Sequence, residues 1–315
     1  MTQMPLETFA ECLRERDNFL LVTHLRPDGD TLGSAGALGS ALRRLGKTAF
    51  LYNNPQITEN YLRFVKQYIA PESFSPECVV AVDLADTGLF PVGFDAPVDF
   101  CVDHHPSNSG YAGKTIVWAD KASCGELVME LIKTLCGDVT AQEADLLYIA
   151  VSTDCGCFVY GNTTADTHIA AAELIRLGAN HKWLNRELFR MTSAARLKLE
   201  GMIFTGLHSY RDCKINFAIV TLDMMEKAHA TENDCDDLAS LAGRVRGSLV
   251  SVTIRELEKG KRCKVSVRTG EEVNASEVCA AFGGGGHAMA AGCTIDAGVE
   301  ETERLLLEAI EKQWR

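Results

Sequence analysis

Short apolar runs alternate along the first half of the chain with stretches of helical period. Leu20 to Val22, Cys78 to Val82 and Val98 to Val102 read as strands, with Thr48 to Tyr52 a shorter fourth. Between them, Leu32, Ala35, Leu38, Leu42 and Leu45 fall near a 3.6-residue spacing, which predicts a helix from Thr31 to Leu45 stopped by Gly46. Ile57 to Tyr68, Ser123 to Leu135 and Ala141 to Thr153 read as further helices, the last running into Ser152-Thr153-Asp154. Another spans Thr163 to Leu177, with Thr163 as cap, Asp166 in the capping-box position and Gly178 as its stop. Met1 to Asn18 reads as an amphipathic helix carrying Glu7, Glu11, Glu15 and Asp17. Apolar strands that alternate with helices predict an α/β fold, a parallel sheet with helices on both faces.

The texture changes in the second half. From His181 to Leu207 the pattern stays helical but becomes more charged, with Arg186, Glu187, Arg190, Arg196, Lys198 and Glu200. It predicts a helical linker over residues 183–210, between a first domain at 1–182 and a second at 211–315. In the second, Asn216 to Leu222, Leu249 to Ile254 and Cys263 to Arg268 read as strands. Met224 to Ala230, Asp236 to Arg244, Ala275 to Ala281 and Val299 to Gln313 read as helices. This is a smaller α/β domain, and no internal repeat runs through the chain.

Composition narrows the function. The 315 residues are 46% hydrophobic and 23% charged, with a formal net charge of −12. A protein that follows a long nucleic-acid backbone carries a basic stripe, and the densest basic cluster here is only Lys259-Gly-Lys-Arg-Cys-Lys264. Small phosphorylated molecules therefore fit better than polymers. No apolar run approaches the roughly 20 residues of a membrane helix, and the first residues lack the basic and apolar regions of a signal peptide. The twelve cysteines are scattered, which predicts reduced thiols and a cytoplasmic location. Cys155-Gly-Cys157 has no second pair at zinc-finger spacing.

The ends of the apolar strands carry the chemistry. After Leu20–Val22 come His24, Asp28, Gly29 and Asp30; Cys78–Val82 ends at Asp83; Val98–Val102 ends at Asp103-His104-His105; and Asp154 ends a helix. In open parallel sheets, ligands bind at the carboxyl ends of strands. Crowded carboxylates repel one another unless cations neutralise them. Two divalent cations bridged by one carboxylate would do so and would serve displacement at phosphorus. Asp83, alone at its strand end, is the natural bridge; His24 and Asp28 would take one cation, and Asp30, His104 and Asp154 the other. Each residue also has a plainer role open to it. Asp-Gly-Asp is ordinary turn chemistry, Asp83, Asp86 and Asp154 could be caps, and His104 and His105 a polar loop pair. Their coincidence at successive strand ends favours the metal reading.

A second informative stretch is Phe282-Gly-Gly-Gly-Gly-His-Ala-Met-Ala-Ala-Gly292. Gly284, Gly285 and Gly286 let backbone N–H groups approach an anion without a Cβ in the way. His287 adds a donor and Arg268 a planar fork suited to phosphate. The expectation is that this loop grips the non-scissile part of the substrate across a cleft between the domains.

Asp103-His104-His105, the His24–Asp28–Asp30 turn, Asp83 and Asp154 resemble the four motifs of the DHH phosphoesterase superfamily. Gly283-Gly-Gly-Gly-His287 with Ala290-Ala-Gly292 resembles the signature of its DHHA1 C-terminal domain. The two together cover nearly the whole chain, which at this length resembles the bacterial nanoRNase/pAp-phosphatase branch. That resemblance implies Mn²⁺, with Mg²⁺ or Co²⁺ as alternatives, and hydrolysis of short oligoribonucleotides or of 3′-phosphoadenosine 5′-phosphate. Linear or cyclic dinucleotides such as pApA and c-di-AMP are the alternative substrates. It implies the same six ligands, makes His105 the residue that contacts the scissile phosphate and protonates the leaving oxygen, and makes Asp103 a residue that orients an imidazole. It leaves a homodimer open. A non-catalytic nucleotide-binding regulator is the rival from another class, and the completeness of the ligand set argues against it. Two departures from the relatives' pattern bear on substrate preference: Thr87-Gly-Leu-Phe90 stands where a basic residue is common, and Cys155-Gly-Cys157 where a hydroxyl residue is usual.

Overall fold

Residues 18–22 begin the sheet that positions everything else. In the computed structural model, which describes residues 4–235 and 238–314, the first elements are α1 (Leu6–Arg14), β1 (Phe19–Val22), α2 (Gly29–Arg44), β2 (Ala49–Leu51), α3 (Glu59–Val65), β3 (Cys78–Val82), β4 (Phe100–Asp103) and β5 (Lys114–Val117). They are followed by α4 (Cys124–Cys136), α5 (Ala141–Asp154), α6 (Ala165–Arg176) and α7 (His181–Phe189). The expected helix at Met1 to Asn18 is reduced to α1, and Met1 to Gln3 lie outside the described residues.

The five strands form one parallel sheet in the order β2-β1-β3-β4-β5. β2 lies on one side of β1 and β3 to β5 on the other, so the chain reverses direction across the sheet at the β1/β3 pair. Such a switch point opens a crevice at the carboxyl ends of the two strands. One face buries Phe19, Leu21, Val80, Val82, Phe100 and Val102 against Phe9, Leu38, Leu127 and Leu147 of the helices. The other face is closed differently from the expected helical layer. Leu20, Val22, Val79, Ala81 and Cys101 pack beneath Tyr52, Phe74, Phe90, Phe94 and Tyr111 from connecting segments. Pro91, Gly93 and Pro97 keep the β3–β4 connection from forming an α-helix. Edge-to-face ring pairs fill the space, Phe90 with Phe94 at 5.1 Å and Phe90 with Tyr111 at 5.5 Å. β5 was not expected; it is an edge strand whose Lys114 and Thr115 break the apolar run.

The helical pattern of α2 reads as one apolar stripe, yet the helix is buried on nearly every side. Its glycines explain this. A Cβ on Gly29 would lie 2.3 Å from Thr153 Oγ1, and one on Gly33 would lie 2.4 Å from the Leu146 carbonyl oxygen. Glycine there lets α2 and α5 approach backbone to backbone, which sets Asp30 at the start of α2 beside Asp154 at the end of α5. Gly33→Ala, which must push α5 away, is expected to destabilise the protein by about 1–3 kcal/mol. Thermal unfolding measures it, and an unchanged midpoint would show that the helices have room to spare.

The cap of α6 is one residue later than expected. Thr164, not Thr163, accepts from the Thr167 N–H, and the Thr167 hydroxyl, not Asp166, faces back to the Thr164 N–H. Asp166 instead accepts from Lys121 Nζ at 2.8 Å.

The chain divides into two compact units, Met1–Met191 and Thr192–Arg315. The helical stretch from His181 to Leu207 is two helices rather than one. α7 ends at Phe189, and Ser193 caps a new helix by accepting from the Arg196 N–H at 2.8 Å.

The second unit contains α8 (Ala194–Thr205), β6 (His208–Tyr210), β7 (Ile215–Val220), α9 (Leu222–Ala228), β8 (Val250–Glu258), β9 (Arg262–Thr269), α10 (Ala275–Ala280), β10 (Gly285–His287), β11 (Ala290–Ile295) and α11 (Val299–Gln313). Its sheet runs β10-β11-β9-β8-β7-β6, antiparallel except for the β7/β8 pair. The helix expected at Asp236 to Arg244 is a pair of 3-10 turns, Leu238–Ser240 and Ala242–Arg244, while Asp236 and Asp237 lie outside the described residues. Val252, Val265, Val267 and Ala291 bury one face against Val278, Leu306 and Ile310. Part of the other face is covered by Leu199, Ile203 and Met225 packed on Ala218 and Val220. No helix among the described residues is long and apolar enough to cross a membrane.

Candidate metal centre and anion shelf

Each acidic or imidazole group at the carboxyl ends of β1, β3 and β4 is held by a specific local device. Asp28 is the N-cap of α2, accepting at Oδ1 from the N–H groups of Asp30 and Thr31 at 3.0 and 3.2 Å. Its turn role and its place in the site are therefore compatible. Asp30 accepts from Cys124 N at 2.7 Å, Gly125 N at 3.0 Å and Ser34 Oγ at 3.1 Å, so the N-terminus of α4 fixes it. Asp83 sits at φ +56°, a left-handed conformation that a non-glycine residue adopts at a cost. Its N–H donates to Val102 O at 2.8 Å, and Thr31 Oγ1 donates to Val82 O at 2.8 Å, tying the start of α2 to the end of β3. Asp86, not Asp83, caps the short turn that follows.

These side chains converge. Among the described residues, His24, Asp28 and Asp83 bring ligand atoms within 4.8 Å of one another, as do Asp30, His104 and Asp154, and Asp83, His104 and His105. His24 Nε2 lies 3.6 Å from Asp28 Oδ1 and 3.9 Å from Asp83 Oδ2. His104 Nε2 lies 3.4 Å from Asp83 Oδ1, 3.7 Å from Asp30 Oδ2 and 3.7 Å from Asp154 Oδ2.

The tautomers follow from the other ring nitrogens. His104 Nδ1 is 3.1 Å from the Lys121 carbonyl, so it carries the proton and Nε2 presents a lone pair. Burial, then the nearby His105, holds the His104 pKa below its ordinary value, which keeps the ring neutral. A lone pair facing three carboxylates is repulsive unless a proton or a cation lies between them. Asp83 Oδ1, buried and without a hydrogen-bond donor, makes the same point. Burial, and then repulsion from neighbouring carboxylates, pushes Asp30 and Asp83 well above the usual carboxylate range and Asp154 up to about 6. For Asp28, burial acts upward but the His24 hydrogen bond and charge outweigh it and hold the carboxyl low. The donor set of oxygens and imidazole nitrogens suits hard to borderline divalent ions. The cysteines take no part: Cys155 Sγ turns back to Val151 O at 2.8 Å, and none of the twelve is in a disulfide.

Asp103 and His105 form a pair at the edge of this cluster, with His105 Nδ1 also 3.5 Å from Asp83 Oδ1. His105 Nδ1 is 2.7 Å from Asp103 Oδ1, which also accepts from the N–H groups of His104 and His105 at 2.8 and 3.2 Å. Asp103 raises the His105 pKa. Burial alone would raise Asp103, but donors from His105 and Asn108 outweigh it and hold the carboxyl low. Asn108 Nδ2 reaches Asp103 Oδ2 at 2.6 Å. No motif or spacing in the sequence points to Asn108.

In the second unit, Arg268 and His287 are brought together by strand register. Both pair with Ala290, Arg268 from β9 and His287 from β10. Directly opposed residues point to the same face, and this face is the one opposite Val267 and Ala291. Both side chains are exposed, with only the small Ala290 between them. The glycines behave less uniformly than expected. The Gly283 and Gly284 N–H groups donate to Ala280 O and Cys279 O at 3.1 and 2.9 Å, closing the end of α10, so neither is free to bind an anion. Gly284 is required for packing, because a Cβ there would lie 2.3 Å from Gly292 O. Gly285 faces open space and Gly286 adopts φ +147°.

Comparison with known proteins gives two family matches. Residues 18–151 match the DHH family, N-terminal domain, and residues 214–315 match the DHHA1 domain. A protein of Thermus thermophilus named bifunctional oligoribonuclease and PAP phosphatase NrnA is 33% identical, over 93% of this chain and 89% of its own length. A protein of the same name from Bacillus subtilis is 26% identical, over 93% of each. The crystal structure of an exopolyphosphatase-related protein from Bacteroides fragilis superposes with a TM-score of 0.86 at 20% identity, covering 98% of this chain and 95% of that one, a likeness of fold.

Proposed function

The chain belongs to the DHH family, an N-terminal DHH domain followed by a DHHA1 domain, and from that membership we infer that it is a phosphoesterase of short oligoribonucleotides that also dephosphorylates 3′-phosphoadenosine 5′-phosphate. It uses divalent cations. Mn²⁺ is the ion we propose, because a site of mixed imidazole and carboxylate donors suits it better than the harder Mg²⁺. His24 and Asp28 would hold one ion, Asp30, His104 and Asp154 the other, and Asp83 both. When bound, the two ions would neutralise the acidic cluster and lower the pKa of the attacking water.

The chain's own groups do the rest. His105, with Nδ1 engaged by Asp103, keeps Nε2 for the substrate and delivers its proton to the leaving oxygen as the ester bond breaks. Asp103 holds the ring and favours its protonated form. Arg268 and His287 bind the non-scissile, anionic part of the substrate, with Gly285 leaving the approach open and Gly284 and Gly286 keeping β10 and β11 paired. Acidic net charge and the absence of a basic stripe support short substrates over long strands. The cytoplasm is the compartment we propose, where these substrates and reduced thiols are found together.

The observation that carries this reading is the lone pair of His104 Nε2 turned toward three carboxylates, one of them Asp83 with an orphaned oxygen. Protein stripped with a chelator is expected to hydrolyse neither an RNA dinucleotide nor 3′-phosphoadenosine 5′-phosphate, and to recover both activities on adding Mn²⁺, more than on adding Mg²⁺. Chromatography of the products checks this. Undiminished activity in excess chelator would refute the metal reading, and inactivity with Mn²⁺, Mg²⁺ and Co²⁺ alike would refute the enzyme.

A further inference from the structure

We propose that Asn108 is a positioning residue of the hydrolysis, acting through Asp103 to hold the His105 imidazole in line for proton transfer; the inference rests on the phosphoesterase reading above. Asp103 is fully buried and uses both oxygens. Oδ1 takes His105 Nδ1 and two backbone N–H groups, whereas Oδ2 has Asn108 Nδ2 at 2.6 Å. The orientation of the Asn108 amide is fixed independently. Its Oδ1 accepts from Gly110 N at 2.9 Å, a donor, so the atom facing Asp103 must be the NH₂ group. Asn108 N also donates to His105 O at 3.1 Å, closing the turn that carries the imidazole.

The surroundings give Oδ2 few alternatives. Cys101 Sγ lies near Asn108 Nδ2 at 3.5 Å, and Tyr111 Oη is committed to Leu84 O at 2.8 Å. A buried carboxylate oxygen deprived of its donor is costly. Rotating the carboxylate to share its remaining donors would relieve that cost by giving up the alignment of Oδ1 with His105 Nδ1. In the reaction, the oxygen of water bonds to phosphorus and the ester P–O bond breaks. The proton on His105 Nε2 passes to the departing oxygen, and one lost by the water returns to the imidazole through solvent. A misaligned ring would slow that transfer without changing how the substrate is held.

The plainer account is that Asn108 is a turn residue only, and two variants separate the accounts. Asn108→Ala removes the donor to Asp103 and the acceptor for Gly110 N, and keeps the backbone bond to His105 O. Asn108→Asp keeps an oxygen for Gly110 N but sets a carboxylate against Asp103. Two substrates separate proton donation from general damage: an RNA dinucleotide, whose leaving alcohol needs a proton, and the p-nitrophenyl ester of thymidine 5′-monophosphate, whose leaving phenolate does not. Asn108→Ala is expected to lower kcat on the dinucleotide roughly 10- to 30-fold, with KM within about twofold and the p-nitrophenyl ester within about threefold. Asn108→Asp should lose at least as much on the dinucleotide. In the metal-free protein, the low-field proton resonance of the His105–Asp103 hydrogen bond should be present in wild type and lost or shifted in both variants. Equal loss on the two substrates, an Asn108→Asp enzyme as active as wild type, or an unmoved resonance would overturn the proposal. If wild type cleaves neither substrate with any divalent ion, the phosphoesterase reading falls, and the resonance alone decides the role of Asn108.

Discussion

Asp83→Asn is expected to lower kcat/KM on an RNA dinucleotide by about 10³-fold or more, while making the metal-free protein harder to unfold at neutral pH. Both effects come from one position. Asp83 is the carboxylate shared by two of the three candidate cation groups, so its loss weakens both. Asparagine keeps the shape and the left-handed backbone tolerance but removes the charge. Without cations that charge is a burden: Asp83 is buried, and Asp30, Asp28 and Asp154 repel it. Asp83, Asp30 and Asp154 take up protons at higher pH when folded than when unfolded. The folded chain is therefore most favoured below the unfolded carboxylate range, about pH 4, and loses that advantage as pH rises through the folded values, about 6 for Asp154. The melting temperature of metal-free Asp83→Asn should thus exceed that of wild type by a few degrees at pH 7.5, with the gap closing toward pH 4. Saturating Mn²⁺ should reverse the order, because an ion at about 100 times its Kd adds roughly 2.7 kcal/mol to wild type. An apo variant no more stable than wild type, or one that keeps its activity, would remove Asp83 from the centre of the site.

The parallel sheet was legible because its strands are buried on both faces and so read as apolar runs ending in ionisable residues. Cys78–Val82 followed by Asp83 is the clearest case. The layer over the second face was not legible. It depends on Tyr52, Phe74, Phe90, Phe94 and Tyr111 meeting from separate connections, and aromatic residues between prolines show no period. Nor was the tight seating of α2 on α5. The periodic residues of α2 are its leucines, whereas what determines its neighbour is the absence of side chains at Gly29 and Gly33. The six proposed ligands were named because metal donors are few in type and stood at successive strand ends. Asn108 escaped because its contribution is one hydrogen bond to a residue five positions back, which no spacing rule singles out.

The glycine run shows where local chemistry misleads. Four consecutive glycines suggest a loop of free amides, yet the cap of α10 occupies the first two and the antiparallel pairing of β10 with β11 takes in the last two. What the run supplies is a backbone slim enough to seat His287 beside Ala290, and thereby beside Arg268. That arrangement makes a second large effect expected, one that differs in kind from the loss at Asp83. Gly284→Val would drive a side chain into Gly292 O and the Cβ of Cys293, 2.3 and 2.4 Å from an ideal Cβ, so β10 must leave its register. Arg268→Ala removes only the guanidinium. A charge-assisted hydrogen bond is worth about 1.5–3 kcal/mol, so Arg268→Ala should raise KM for an RNA dinucleotide roughly 10- to 100-fold, and Gly284→Val by about 100-fold or more. In both, the Mn²⁺-induced rise in melting temperature of the DHH unit should match wild type, because among the described residues every group of the metal cluster lies in the first unit. Steady-state kinetics alongside Mn²⁺ titration followed by calorimetry distinguishes the cases. If Arg268→Ala left KM unchanged, the exposed face shared by Arg268, Ala290 and His287 would not be where the substrate's anionic end is held.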